Sequence, residues 1–446
     1  MQRLTVMLIF GIAVVARIDA AVAMNPSTES LLASAHHEHA SIAKNLAESR
    51  GFRFNFFGDI ERPDFTSQQA PFVPGLLATS YRAFGVESQA ALWFVVVLQL
   101  IAGSVSCVFL ADAVAHLTAP KAVARLAGIA TALYPPLVVS SLHLQALPWN
   151  VFWISLMLSG AARVSASANY GMLWLAIGAI GGLYTDPILA ALLAALSLWI
   201  LVQRRAESIV PLLKVGVATV LALAPWIARN YEIHGRFEFV KNSLPYVFWQ
   251  GNTLLSAGTD KIPVDDIQAI QVSSAAIRSA LATAEASRRR SVSINDVALT
   301  EVDLRELAAL PNEAARMDWF GRRIRSELAA NPLHYPRMCL VRLKHWFWFD
   351  ETNPKSFVPA YRLAYLVLLG AALVGLLVRS HALTPFLWAA AALTVVHVMV
   401  ITSARFRVCF ELLLIPAAAN AIWQSWQLVP QRFPRGWQPI PAKHPS

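Results

Sequence analysis

Residues 91–112 read ALWFVVVLQLIAGSVSCVFLAD. No charged side chain occurs until Asp112. An α-helix rises about 1.5 Å per residue, so about 20 residues cross the ~30 Å hydrocarbon core of a bilayer. A run this long and this apolar reads as a membrane span. Moving outward, the same pattern recurs. Of 446 residues, 56% are hydrophobic and only 14% are charged, and mean hydropathy is +0.50. Ten stretches read as spans: 4–23, 91–112, 125–142, 150–165, 170–184, 187–203, 209–227, 361–379, 383–402 and 408–428. The fold expected is an all-α polytopic membrane protein, a bundle of about ten transmembrane helices with two extracytoplasmic segments.

Short-loop charge orients the map. Arg3, Lys121, Arg125, Arg204, Arg205, Arg379, Arg432 and Arg435 fall on one side, which the positive-inside rule makes the cytoplasm. The net charge of +10 is therefore a membrane-topology signal and calls for no nucleic-acid partner. The chain divides into an N-terminal membrane module (1–227) with a first extracytoplasmic loop (24–90), an extracytoplasmic helical segment (228–360), C-terminal membrane helices (361–428) and a cytoplasmic tail (429–446). The second long segment includes Arg288-Arg289-Arg290, but long loops translocate regardless of charge. The N-terminal stretch resembles a signal peptide. Arg17 and Asp19 in its last third favour an uncleaved first helix. Cys107, Cys339 and Cys409 form no CxxC pair and no disulfide framework.

The long segments carry local patterns. Residues 297–330 read as helix, with apolar positions at helical spacing and acids early, at Glu301, Asp303 and Glu306. Asn331 to Phe349 reads as a helix ending in an aromatic cluster, docked on lipid because Trp prefers that depth. The Pro-rich tail reads as disordered.

Candidate chemistry begins at His36-His37-Glu38-His39. Zinc ligands on one helix share a face at i, i+3 or i+4; here His36 and His39 do, and HExxH spacing is absent. A metal site, a solvated polar turn and a catalytic carboxylate all fit these four residues. Downstream, Ile42, Ala43, Leu46 and Ala47 form an apolar stripe opposite Lys44, Asn45, Glu48 and Ser49. That is an amphipathic helix suited to a membrane surface, ended by Gly51. It sets Glu38 at headgroup depth, where a carboxylate can serve as general base for a hydroxyl. In PWIARNY (225–231), Arg229 lies one turn beyond Trp226. Snorkelling and a phosphate clamp are the two readings, with Arg236 and Lys241 nearby. In ARFRVCFELLLIP (404–416), Arg405 and Arg407 open the last span and Glu411 lies four after Arg407. A structural ion pair and a site member fit equally. Asp186, before Pro187, reads as a helix cap. No Walker, GxSxG or nucleotide-binding pattern is present.

Together EHASIAKNLAESRGF, APFVPGLLATSYRAFGV, ALYPP, YTDPILA, PWIARNYEIHGRFEFVKNSLPYVFWQGN and ARFRVCFELLLIPAAA resemble the GT-C class of membrane glycosyltransferases. The likeness is to the family-39-like branch, with protein mannosyltransferases and lipid A aminoarabinose transferases. The blocks cover most of the chain outside about 255–300 and follow family order. The resemblance implies an enzyme with a sugar donor on polyprenyl phosphate, an active site facing the periplasm from the bacterial inner membrane, and no cofactor or metal. It implies Glu38 as general base. It implies substrate-binding roles for Arg229 and Asn230, with Lys241, Arg405, Arg407 and Glu411 lining a cationic pocket and His37 and His39 beside the base. The chain departs from the family in two places. Ala35 and His36 stand where relatives carry an acid, and the loop after ALYPP offers His143 and Gln145 where a Glu is common. Two other functions remain open: a non-catalytic polyprenyl-phosphate binder or translocator, and a histidine-based metal sensor.

Overall fold

The Ser88 hydroxyl accepts a bond from the Ala91 amide and so starts the 29-residue helix Gln89–Leu117. This helix is the centre of the bundle, packed on Arg3–Met24, Phe72–Phe84, Lys121–Leu133 and Ala146–Ser165. The computed structural model describes residues 2–57, 63–118, 120–265, 290–378 and 383–428; at 36, 37, 205 and 206 it describes the backbone alone. The tail 429–446, Arg288-Arg289, Arg379, Arg432 and Arg435, and the side chains of His36 and His37, lie outside the described residues.

Among the described residues the chain is all-α, with 19 helices and one short two-stranded ladder. Every stretch expected to span forms helix. Residues 125–142 form two, Lys121–Leu133 and Pro135–Ser140, because Pro135 supplies no amide and forces Tyr134 extended. Five helices are long and apolar enough to cross a membrane: Arg3–Met24, Gln89–Leu117, Ile209–His234, Pro359–Leu377 and Ala404–Gln427. Their outer faces expose Leu4, Met7, Leu8, Leu213, Val217, Leu221, Leu363, Val367 and Leu377. Apolar faces of that extent suit a multi-pass membrane protein bathed in lipid. The first helix is built into the bundle through Arg17, 1% exposed, which donates to Ser141 Oγ (3.3 Å) and Ala13 O (3.1 Å).

Pro359–Leu377 and Ala404–Leu428 cross at Gly375, where a Cβ would collide with the Ala417 backbone. Gly375→Val is expected to cost about 1–3 kcal/mol. Thermal unfolding in detergent checks this, and an unshifted midpoint counts against so close a crossing.

The two long segments, 24–90 and 228–360, correct three expectations. The stripe on helix His36–Ala47 does not lie on lipid. Ile42 and Ala43 are fully buried, and the helix packs on Phe72–Phe84, whose Val73, Leu77 and Tyr81 form a complementary apolar face. Residues 297–330 form three helices, Ile294–Ala298, Glu301–Ala309 and Glu313–Ala330. A capping box at Thr300 and Asp303 restarts the second, and Asn312, after Pro311, caps the third. In the following helix, His334–Phe347, Trp346 is buried and stacks on His397 at 4.7 Å, while Trp348 stays half exposed. Arg342, fully buried, donates to Gly251 O and Val398 O (both 2.5 Å). It thereby caps the carbonyl ends of Leu244–Asn252 and Thr384–Met399 and joins the second segment to the bundle.

Candidate active site

The site is held by a loop anchored from two sides. Arg229, one turn past Trp226 on Ile209–His234, donates through Nη1 to Thr66 O (2.7 Å), Ser67 Oγ (3.0 Å) and Asn230 Oδ1 (3.0 Å). Its Nη2 donates to Phe52 O (3.2 Å), and the guanidinium lies over the Trp226 ring at 4.7 Å. Asn230, fully buried, accepts from Ser67 Oγ (2.7 Å) and donates to Phe239 O (2.8 Å). Arg229, singled out for phosphate, and Asn230, singled out for substrate binding, thus hold the first loop against the bundle. On the other side Glu313, buried at the start of its helix, accepts from Ser67 N (2.8 Å), Asn242 Nδ2 (2.6 Å) and the Thr66 hydroxyl. Lys241, half-buried beside Asn242, makes no side-chain hydrogen bond or ion pair among the described residues.

Glu38 lies in the first turn of His36–Ala47 and accepts from the Gln69 amide, which sits two residues past Ser67. His39 is buried. Phe56 and Phe57 of the same loop pack on Tyr246 at 5.3 and 5.5 Å. The Tyr246 hydroxyl takes bonds from Gln250 Nε2 (2.8 Å) and Asn295 Nδ2 (2.6 Å). Burial pushes that hydroxyl well above the usual phenol range, and the negative charges of Glu38 and Asp260 add to it. Both carboxylates therefore lie near enough to Tyr246 to act on its hydroxyl.

Cations gather beside Asp260. The turn Gly258–Lys261 is pinned at its buried Thr259, whose hydroxyl meets Lys261 O (2.9 Å) and Thr352 Oγ1 (3.0 Å). The Thr402 amide donates to Gly258 O at 3.3 Å. Gly258 has φ +81°, a backbone state that favours glycine. These bonds draw Lys261, Lys355 and Arg405 together from three parts of the chain. Burial, then the charges of Arg405 and Lys261, push the Lys355 ammonium below its usual range. Lys355 is nevertheless solvent-exposed. His143 Nδ1 lies 3.0 Å from Val139 O. A carbonyl only accepts, so Nδ1 carries the proton and Nε2 is left as an acceptor. Burial first, then Lys355, lowers the His143 pKa.

Arg407 and Glu411 are 1% and 0% exposed. Arg407 donates to Glu411 Oε1 (2.9 Å), Tyr361 Oη (3.0 Å) and Trp348 O, and Tyr134 Oη donates to Glu411 Oε2 (2.7 Å). The structure shows the ion pair, buried inside the bundle. Arg405, half-buried over the Phe406 ring, remains with the cations.

Sequence reasoning missed Tyr246, Asp260, Lys261, Glu313 and Lys355. The one available signal was GTDK (258–261), in which a glycine precedes two adjacent opposite charges. No family model, no curated protein and no solved structure matches this chain. Chemically, the arrangement offers acceptors at one end and donors of positive charge at the other. That combination suits a ligand with hydroxyl groups and a phosphate.

Proposed function

We propose that the chain is a GT-C-type membrane glycosyltransferase with ten spans. Its site faces the periplasm, and it moves a sugar from polyprenyl phosphate to an envelope glycan, lipid or protein. The observation that supports the reading is the Thr259–Thr352 contact, which brings Lys261 near Lys355 and Arg405, with Asp260 next to Lys261 in the chain and, like Glu38, close enough to Tyr246 to act on its hydroxyl. Glu38 takes the proton of the acceptor hydroxyl. The resulting oxygen attacks the anomeric carbon from the side opposite the phosphate, so configuration inverts. The bond from that carbon to the phosphate oxygen breaks, and its electron pair leaves on the polyprenyl phosphate. Lys261, Lys355 and Arg405 stabilise that added charge. Arg229 and Asn230 contribute by fixing the loop that carries Gln69.

The test is native mass spectrometry of detergent-purified protein titrated with farnesyl phosphate. The wild type is expected to hold it, and the double variant Lys261→Gln/Lys355→Gln to hold it about tenfold more weakly or worse. Equal binding by both proteins removes these cations as the phosphate site. Retained binding together with unaltered envelope sugar in a deletion strain selects the non-catalytic lipid-phosphate binder, a reading that the cation set alone would serve.

A further inference from the structure

We propose that the turn Gly258–Lys261 reads the donor, with Asp260 accepting hydrogen bonds from hydroxyl or ammonium groups of the transferred sugar and Lys261 holding the adjoining phosphate. The inference rests on the function proposed above and assigns its sugar specificity to one residue.

The backbone there is fixed. Besides the Thr259 and Gly258 bonds, Asp260 O accepts from Ile294 N at 3.0 Å. Strand β1 (Lys261–Pro263) pairs antiparallel with β2 (Ser291–Ser293), with Lys261 opposite Ser293. Thr352, which meets Thr259, bonds in turn to Asp350 Oδ1 (2.6 Å), and Ser291 Oγ donates to Thr352 O (2.7 Å). A turn this heavily braced holds its side chains in set directions.

Those side chains are unspent. Among the described residues neither the Asp260 carboxylate nor the Lys261 ammonium makes a hydrogen bond or ion pair with a side chain. Glu38 differs, because Gln69 holds it. A half-buried carboxylate with no side-chain donor among the described residues is an acceptor still open to a ligand. A sugar hydroxyl or ammonium supplies that donor. The chain here also brings the two ends of the ligand into register. Asn295, next to the Ile294 amide that Asp260 holds, bonds Tyr246, and Tyr246 lies under Phe56 and Phe57 of the loop that leads to Gln69. One carboxylate is thus positioned for proton transfer, and the other is left for recognition.

Farnesyl phosphate and farnesyl-phosphoryl glucose, glucosamine, mannose and arabinose are titrated against wild type, Asp260→Asn and Lys261→Gln by native mass spectrometry. Wild type is expected to hold at least one glycosylated probe more tightly than farnesyl phosphate. Asp260→Asn is expected to lower that preference about tenfold and leave farnesyl phosphate unchanged, whereas Lys261→Gln weakens every probe. A larger loss for glucosamine than for glucose in Asp260→Asn identifies an ammonium as the group read; equal loss identifies hydroxyls. Equal weakening of farnesyl phosphate and its glycosides by Asp260→Asn overturns the inference, as does a wild type without preference for any glycoside. A wild type that holds no lipid phosphate overturns the parent reading instead. Unchanged thermal unfolding of both variants excludes a folding defect as the cause.

Discussion

Glu38→Gln is expected to lower sugar transfer by about 10³-fold, with the purified protein unfolding at the wild-type temperature. The substitution keeps the size of the side chain, and its remaining carbonyl can still accept from Gln69. What it removes is the capacity to take a proton. The loss should therefore fall on kcat, with KM for the donor little changed, since the proposed phosphate-binding groups are Lys261, Lys355 and Arg405. Gln69→Ala separates positioning from chemistry. It leaves the carboxylate in place without its partner, so activity should fall by a smaller factor. Near-normal transfer by Glu38→Gln would remove the base assignment. Parallel loss of transfer and of thermal stability would make Glu38 a structural residue of the helix start.

The helices were legible in the sequence because hydropathy over about 20 residues depends on composition alone, and each apolar run is helical, the 125–142 run as two helices. Helix breaks were less legible. The one at Pro135 has a local cause, yet the 125–142 run looked continuous because its apolar residues continue through the proline. The burial of Ile42 and Ala43 was hidden for another reason. An amphipathic stripe shows that a face is covered, not whether lipid or the Phe72–Phe84 helix covers it. Arg229 shows the limit most sharply. Its acceptors include Thr66 O and Phe52 O, and main-chain carbonyls leave no trace in residue identity. The reading of Arg407 and Glu411 turned on Tyr134 and Tyr361, far off in sequence. The cation cluster depends on a bond between Thr259 and Thr352, 93 residues apart, with nothing in either local pattern to announce the partner.

Glu313→Ala is expected to destabilise the protein by about 3–5 kcal/mol, the largest stability loss foreseen for one side chain outside the membrane. The variant strands the Ser67 amide, the Asn242 side chain and the Thr66 hydroxyl in a site that water does not reach. It also removes the negative charge facing His234 Nε2, 3.9 Å away, and the Arg229 guanidinium. Because Ser67 is shared with Arg229 and Asn230, the loop that carries Gln69 loosens as well, and transfer should fall with stability. Glu313→Gln keeps the shape and one acceptor and should cost less. The pair also yields a pH signature. Burial raises the Glu313 carboxyl above its ordinary value of 4.5, against the lowering pull of Thr66, Ser67, Asn242 and Arg229. The folded state then holds this proton more tightly than the unfolded state does. Its contribution is greatest at low pH and declines as pH rises from about 4.5 through the folded value. His143, with a lowered pKa, acts with the opposite sign, losing stability as pH falls below its ordinary 6.5. The difference between wild type and Glu313→Gln isolates the glutamate. Thermal midpoints measured across pH 4 to 8 should show the wild type losing stability relative to Glu313→Gln as pH increases. Parallel curves would mean that the carboxylate carries the same charge in both states, with its three donors outweighing burial.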